Sequence, residues 1–188
     1  MRIIAGIAKG RKIYSGNIEG TRPTLDRVKE SLFNIIGYPL NGYNILDLFA
    51  GTGNLGLEAL SRGASFVTFV DNNRECYRVI KRNVELLNFN ARSEILNKDS
   101  LKFLEDTSKK FDIIFMDPPY DETDIIFAAI NMINSNDVLR DSGFVVIEHN
   151  KKFKPVNQPD DIRKYGSTYL SFYKKASLIR FKESSQKK

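Results

Sequence analysis

The apolar positions of this 188-residue chain fall into short runs separated by longer amphipathic stretches. Residues 44–48, 66–70, 92–96, 113–116 and 144–147 are brief apolar segments of the kind that form strands buried on both faces. Between them lie helical patterns at 55–60, 74–87, 101–105 and 125–133, the second with Val79, Val84 and Leu87 on one side. Strands alternating with helices predict an α/β fold built on a doubly wound, mostly parallel sheet. Ahead of the first strand, residues 2–14 predict two short strands around an Ala-Lys-Gly turn. Residues 24–37 predict a helix with Thr24 as N-cap, Gly37 as C-terminal cap and an apolar stripe of Val28, Leu32, Ile35 and Ile36. After Pro155 the pattern changes: 162–165 and 168–173, hinged at Gly166, predict an antiparallel pair closing one sheet edge. Residues 177–181 read as a further edge strand or a disordered tail. The implied organisation is a basic N-terminal hairpin at 1–20, one domain at 21–182 and a basic tail at 183–188.

Composition narrows the class. The hydrophobic fraction of 41% supports a sizeable core, and no apolar run approaches the roughly 18 residues of a membrane span. The first residues, M-R-I-I-A-G, start a strand pattern and carry no leader-like apolar core. One cysteine, Cys76, leaves no internal disulfide and suits a reducing, cytoplasmic setting. It lies in a helical pattern, where packing is its expected role. The net charge of +6 is unevenly spread. Residues 1–30 hold seven Lys/Arg against three Asp/Glu, and 151–188 hold eleven against three. The middle holds eleven against seventeen. Basic ends around an acidic body fit a polyanionic partner, with Arg2, Lys9, Arg11, Lys12 and Arg22 as the candidate phosphate contacts.

The fourth apolar run ends in D-P-P-Y, Asp117 to Tyr120. Two prolines cannot donate to a ladder and stiffen the loop, so the chain leaves the sheet there. Asp117, Pro118, Pro119 and Tyr120 are thereby held where ligands bind in open α/β sheets. A carboxylate and the Pro118 carbonyl can each accept a hydrogen from an exocyclic amine, and Tyr120 can stack on its base. The plainer alternative is a strand ending in a Pro-Pro turn with a packing tyrosine.

The first run leads into F-A-G-T-G-N-L-G. Gly51, Gly53 and Gly56 spell G-x-G-x-x-G, with Asp71 twenty residues beyond Gly51. That spacing matches a dinucleotide fingerprint. Asp47 weighs against a nicotinamide enzyme, because it puts a carboxylate inside the end of the first strand, where it suits an ammonium group. A further acid, Asp99, and Ser100 follow the third strand, within reach of an adenine amine. Asp47, Gly51, Gly53, Asp71 and Asp99 together suit S-adenosylmethionine, which has no phosphate but has an ammonium, a ribose diol and an adenine. Phe49 can pack the methionine arm or the core, and Thr24 can reach the cofactor or only cap its helix. His149, the sole histidine, reads as a strand-end residue with a structural hydrogen bond; Lys81 and Arg82 read as a solvated face. No metal site is expected.

With these residues in place, the chain resembles the bacterial small-subunit ribosomal RNA guanine-N2 methyltransferases of the RsmD family. The matching stretches are I-I-A-G with K-G-R-K-I at 3–13, R-P-T-L-D-R-V-K-E-S-L-F-N at 22–34, and D-L-F-A-G-T-G-N-L-G-L-E-A-L-S-R-G-A at 47–64. D-P-P-Y at 117–120, V-I-E-H at 146–149 and Y-G-S-T-Y-L-S-F-Y at 165–173 continue it. D-P-P-Y by itself is shared with DNA-adenine and protein-glutamine methyltransferases. The resemblance implies a seven-stranded, Rossmann-like class I methyltransferase fold and S-adenosylmethionine as donor. It implies a guanine of 16S rRNA as acceptor, presented by the small subunit or its assembly intermediate; apart from the resemblance, a monomer is expected. Asp71 stands where many relatives carry Glu, and residues after Tyr173 lie beyond the shared pattern. The alternatives are an amino methyltransferase of another substrate and a non-catalytic RNA-binding assembly factor.

Overall fold

A computed structural model of the chain describes residues 1–16, 26–118, 123–154 and 158–178. Its seven strands lie in the order β3-β2-β1-β4-β5-β7-β6 in a mostly parallel sheet with helices. The chain divides into two units, Met1–Asp99 and Ser100–Lys188.

In the first unit, β1 (Asn44–Leu48), β2 (Phe66–Asp71) and β3 (Ser93–Asn97) run parallel, with Asp47 opposite Phe69 and Asp71 opposite Asn97. Three helices accompany them. In α3 (Arg74–Leu87), Cys76, Val79, Ile80, Asn83, Val84 and Leu87 recur at helical spacing and are buried. Asn73 caps its start by accepting from the Glu75 amide at 2.8 Å, and Asn88 ends it in the left-handed region. α2 (Asn54–Ser61) has no exposed face: all eight of its residues are buried, Glu58 and Ser61 included. Its polar residues, Asn54, Glu58 and Ser61, recur at i, i+4 and i+7, so they form one stripe, and that stripe is buried like the rest. Gly56 lets it approach β2, since a Cβ there would lie 2.3 Å from the Phe69 ring. α1 (Asp26–Ile36) turns Val28, Lys29, Leu32 and Phe33 inward.

In the second unit, α4 (Ser100–Asp106) precedes β4 (Phe111–Met116), and α5 (Thr123–Ser135) precedes β5 (Leu139–His149). β4 and β5 are parallel. β7 (Thr168–Lys174) pairs antiparallel with β5 on one side and with β6 (Asp161–Tyr165) on the other, so β6 is the sheet edge. On α5, Ile126, Ala129, Ile130 and Ile133 form the buried stripe.

The expected order of elements is present, with four local differences. The N-terminal segment is not a pair of strands. A single antiparallel bridge joins Arg2 to Lys12, with Ile3 N–H bonded to the Arg11 carbonyl (3.0 Å) and Ile13 N–H to that of Met1 (3.2 Å). Its remaining groups are drawn to α2 instead. The stripe of α1 is rotated from the expected one: Ile35 is 39% exposed, while Lys29 is fully buried. β5 starts at Leu139, because pairing with β4 carries the polar Arg140–Ser142 stretch into the strand. Lys175 to Leu178 is helical rather than an edge strand; residues 179–188 lie outside the described residues.

Candidate active site

The carboxyl ends of β1 and β2 and the loop between β1 and α2 form one hydrogen-bonded assembly. Asp47, one residue before the end of β1, is 3% exposed and accepts the Gly56 amide of α2 on Oδ2 at 2.9 Å. Asp71 ends β2. Its Oδ2 accepts the Gly51 amide and its Oδ1 the Asn73 amide, each at 2.8 Å. One carboxylate thereby ties the glycine loop to the start of α3. The Ala50 amide bonds the Val70 carbonyl at 3.0 Å, and Gly53 N–H turns back to the Ala50 carbonyl at 2.7 Å.

The loop is conformationally unusual. Phe49, Gly51 and Gly53 all have positive φ, at 64°, 54° and 75°. For a bulky residue such as Phe49 this is a strained conformation that persists only when its surroundings impose it, and such strain gathers at functional sites. A Cβ on Gly51 would meet nothing within 4 Å. The glycine therefore leaves open space over a backbone whose amide already points at a carboxylate.

Electrostatics set Asp47 apart. Burial, and secondarily the neighbouring Asp71 charge, push its carboxyl up from 3.8 to about 7, against the stabilising Gly56 N–H. A buried carboxyl poised to ionise suits an incoming cation. The donor set on this unit therefore fits S-adenosylmethionine: an acid for an ammonium, an acid at the end of β2 for ribose hydroxyls, and open backbone between them. Asp99 lies two residues beyond β3, and the buried Ser100 starts α4.

On the second unit, β4 runs to Met116 and is followed at once by Asp117 and the buried Pro118. Pro119, Tyr120, Thr24 and Arg22 lie outside the described residues. His149 is buried at the end of β5. Its Nδ1–H donates to the Asn150 carbonyl and its Nε2 accepts from the Ser171 hydroxyl, both at 2.8 Å. The ring stacks on Tyr169 (5.5 Å between centroids) and meets Phe153 edge-on. Burial pulls its pKa below 6.5. These contacts agree with the structural role expected for it. Cys76 is buried too, its thiol pushed up to about 12 by burial, as packing requires.

Of the basic candidates, Arg2 pairs with Asp26 at 3.0 Å and Arg11 donates to the Leu86 carbonyl at 2.5 Å. Lys9 and Lys12 have exposed side chains. Arg82 lies over the Tyr14 ring at 4.1 Å, so it is engaged by the N-terminal segment rather than only solvated.

Sequence reasoning missed a second cluster entirely. Glu58 of α2 is fully buried between two cations: Lys29 Nζ at 3.3 Å and Arg62 Nε at 2.8 Å. Its oxygens also accept the Ile4 and Ala5 amides of the N-terminal arm, at 2.8 and 3.0 Å. Ser61 continues the clasp. Its carbonyl takes Ile7 N–H, its hydroxyl oxygen takes Ala8 N–H, and its hydroxyl donates to Ala5 O. Gly6 is the closest approach, where a Cβ would fall 1.8 Å from the Ser61 carbonyl oxygen. The available signal was a lysine inside an apolar helix stripe of α1 and a polar stripe on α2, with Asn54, Glu58 and Ser61 at helical spacing around one charge.

A seven-stranded sheet with an antiparallel β7 beside β5, a glycine turn after β1 and acids ending β1 and β2 define a Rossmann-like α/β fold of the methyltransferase class. A solved Escherichia coli structure titled "Putative methyltransferase yhhF" has the same fold, with a TM-score of 0.81 and 31% identity, covering 92% of this chain and 96% of that one. The family described as "Conserved hypothetical protein 95" matches residues 1–174, and the chain belongs to that family, the RsmD family. Among curated relatives, a Haemophilus influenzae protein named "Ribosomal RNA small subunit methyltransferase D" is 38% identical over 86% of this chain and 84% of its own length. A Bacillus subtilis protein named "Putative rRNA methyltransferase YlbH" is 38% identical over 93% of this chain and 99% of its own.

Proposed function

We propose that the chain methylates the exocyclic N2 of a guanine in 16S rRNA, using S-adenosylmethionine. Its relatives make it an S-adenosylmethionine-dependent rRNA methyltransferase; the guanine, its N2 atom and the small-subunit substrate are the finer reading. The observation that carries the amine acceptor is the end of β4, where a buried strand gives way directly to Asp117 and Pro118. Asp47 takes the cofactor ammonium, Asp71 the ribose hydroxyls and Asp99 with Ser100 the adenine side. Gly51 and Gly53 admit the cofactor to the backbone, Phe49 packs the methionine arm, and Thr24 is a further candidate cofactor contact.

When bound, S-adenosylmethionine supplies a methyl group on a positively charged sulfur. The chain's residues act on the amine. The Asp117 carboxylate accepts one N–H and the Pro118 carbonyl the other, which localises the nitrogen lone pair and aims it. Much of the acceleration comes from this positioning. As positive charge builds on the nitrogen, the adjacent Asp117 stabilises it. The excess proton then leaves directly or through water. The guanine leaves its stack to be reached, at a cost of a few kcal/mol, which stacking on Tyr120 offsets by roughly 1–3 kcal/mol. Lys9, Arg11, Lys12, Arg2 and Arg22 hold phosphates. The enzyme acts as a monomer in the cytoplasm, on the small subunit or its assembly intermediate.

Two experiments test this. Mass mapping of small-subunit RNA from cells lacking the protein is expected to show one lost N2-methylguanine; a lost methyladenine, or no loss, overturns the acceptor. Asp117→Ala is expected to abolish turnover while cofactor affinity persists, and near-normal turnover in that variant removes Asp117 from the mechanism.

A further inference from the structure

β5 outruns β4 at the carboxyl edge of the sheet. The two strands are parallel and Met116 pairs with Ile147, so β5 continues to His149 while the chain of β4 leaves at Asp117 and Pro118. Asn150 therefore turns out of the sheet at the edge to which the acceptor amine is assigned. The turn is fixed from within. The Asn150 side-chain oxygen accepts the Lys152 amide at 2.7 Å, and the Asn150 carbonyl accepts His149 Nδ1–H at 2.8 Å. Phe153, 4% exposed, folds back to meet the His149 ring edge-on (4.8 Å between centroids) and the Phe127 ring of α5 (5.4 Å).

Around that anchor the side chains are cationic. Lys151, Lys152 and Lys154 are exposed, and the segment 150–154 contains no acid. The sheet brings a fourth lysine to the same edge. Exposed Lys164 of β6 pairs with Tyr169 of β7, and Tyr169 pairs with His149. The Tyr169 ring stacks on His149, and Lys164 Nζ lies 5.6 Å from its centroid. Lysines from two separate segments thus share one aromatic support. A loose basic tail gives up backbone freedom when it binds. A turn pinned through Asn150 and Phe153 gives up only side-chain freedom, so its charges are presented at lower entropic cost. An ammonium is a point donor that suits phosphate oxygens. A nucleotide whose base reaches the end of β4 brings its flanking phosphates to this edge.

We propose that Lys151, Lys152 and Lys154, with Lys164 of β6, form a shelf that binds the backbone phosphates flanking the acceptor nucleotide. The shelf deepens the RNA-substrate reading given above and rests on it. His149 and Phe153 support the turn from within and touch no phosphate.

The test measures binding of the labelled full chain to small ribosomal subunits from cells lacking the protein, across a monovalent-salt series at fixed magnesium. Two double variants remove charge from the shelf: Lys151→Gln with Lys152→Gln, and Lys154→Gln with Lys164→Gln. A control makes the same charge change at the opposite edge of the sheet, with Lys109→Gln and Lys110→Gln just ahead of β4. Each phosphate contact on a single strand contributes about 0.7 to the slope of log affinity against log salt. Either shelf variant is expected to lose about 1.4 of that slope, twice the single contribution, and about tenfold in affinity at ~0.15 M salt. The control is expected to keep the wild-type slope, and all three variants to keep wild-type affinity for S-adenosylhomocysteine. The shelf is overturned if neither shelf variant lowers the slope, or if the control lowers it as much. A wild-type chain that does not bind the subunits overturns the substrate reading and the shelf with it.

Discussion

Each unit of the chain contains a charge cluster, and the two are built in opposite ways. In Met1–Asp99, Glu58, Lys29 and Arg62 are 0–5% exposed and every oxygen of the carboxylate is also bonded to backbone amides. In Ser100–Lys188, Asp137 is about half exposed and pairs with Lys110 and Lys175, and Lys175 also pairs with Asp141. Water solvates the second cluster whether or not the pairs form, so it adds little. No water replaces a lost partner in the first. It couples three segments that are distant in sequence: the arm at 3–8, α1 and the helix that follows the glycine loop. A buried ion pair is weak evidence of net stability, but breaking one leaves an uncompensated charge.

Glu58→Gln tests that contrast most severely. It removes the countercharge from Lys29 and Arg62 and turns an NH2 toward donors. The expected loss is about 3–5 kcal/mol, read from the midpoint of urea unfolding; a loss within error would mean the cluster relaxes into water.

Asp47→Asn comes next and acts with pH. The folded carboxyl holds its proton up to about 7 against an ordinary 3.8, so its contribution to stability is present at low pH and lost as pH rises through about 7. Asparagine keeps an acceptor for the Gly56 amide and cannot ionise. The variant is expected to gain on the order of 2–4 kcal/mol over wild type above pH 7, with the curves converging near pH 4, and to lose cofactor affinity. A pH-independent difference between the two would refute the buried-carboxyl account.

Gly56→Ala is smaller. The added methyl meets the Phe69 ring at 2.3 Å, and overpacking of this kind costs about 1–3 kcal/mol. Wild-type thermal stability would show that α2 can lift from β2 without penalty. Asp137→Asn is expected to do least. Asparagine tolerates the positive φ of 51° at this position, so the substitution isolates the charge. Lys110 and Lys175 hold the Asp137 carboxyl down at about 2, so any stabilisation is lost as pH falls from its ordinary value toward 2. At neutral pH the variant should differ slightly from wild type, and not at all in high salt. A difference that survives salt would move this cluster into the class of the first.

Much of this was legible in the chain. Apolar runs at 44–48, 66–70 and 113–116 are strands because only burial on both faces tolerates such composition, and α3 follows from the spacing of Val79, Val84 and Leu87. The loop with Gly51 and Gly53, the acids at strand ends and the turn at Asp117 were readable because strand ends are where an α/β sheet offers ligand contacts. The role of Glu58 was not readable. Two of its partners, Lys29 and Ile4, are 29 and 54 residues away in sequence, and residue type does not say that a charge will be buried.

The alternation of elements, the composition of the glycine and proline loops and the family are all written in the linear chain. These depend on local periodicity and on residue types with strong conformational limits. Tertiary structure alone decided which charges lost their water. It closed the arm on α2 through Glu58 and Ser61, and raised Asp47 by burying it next to Asp71. Desolvation is a property of the packed whole, and a residue carries no mark of it until its neighbours arrive.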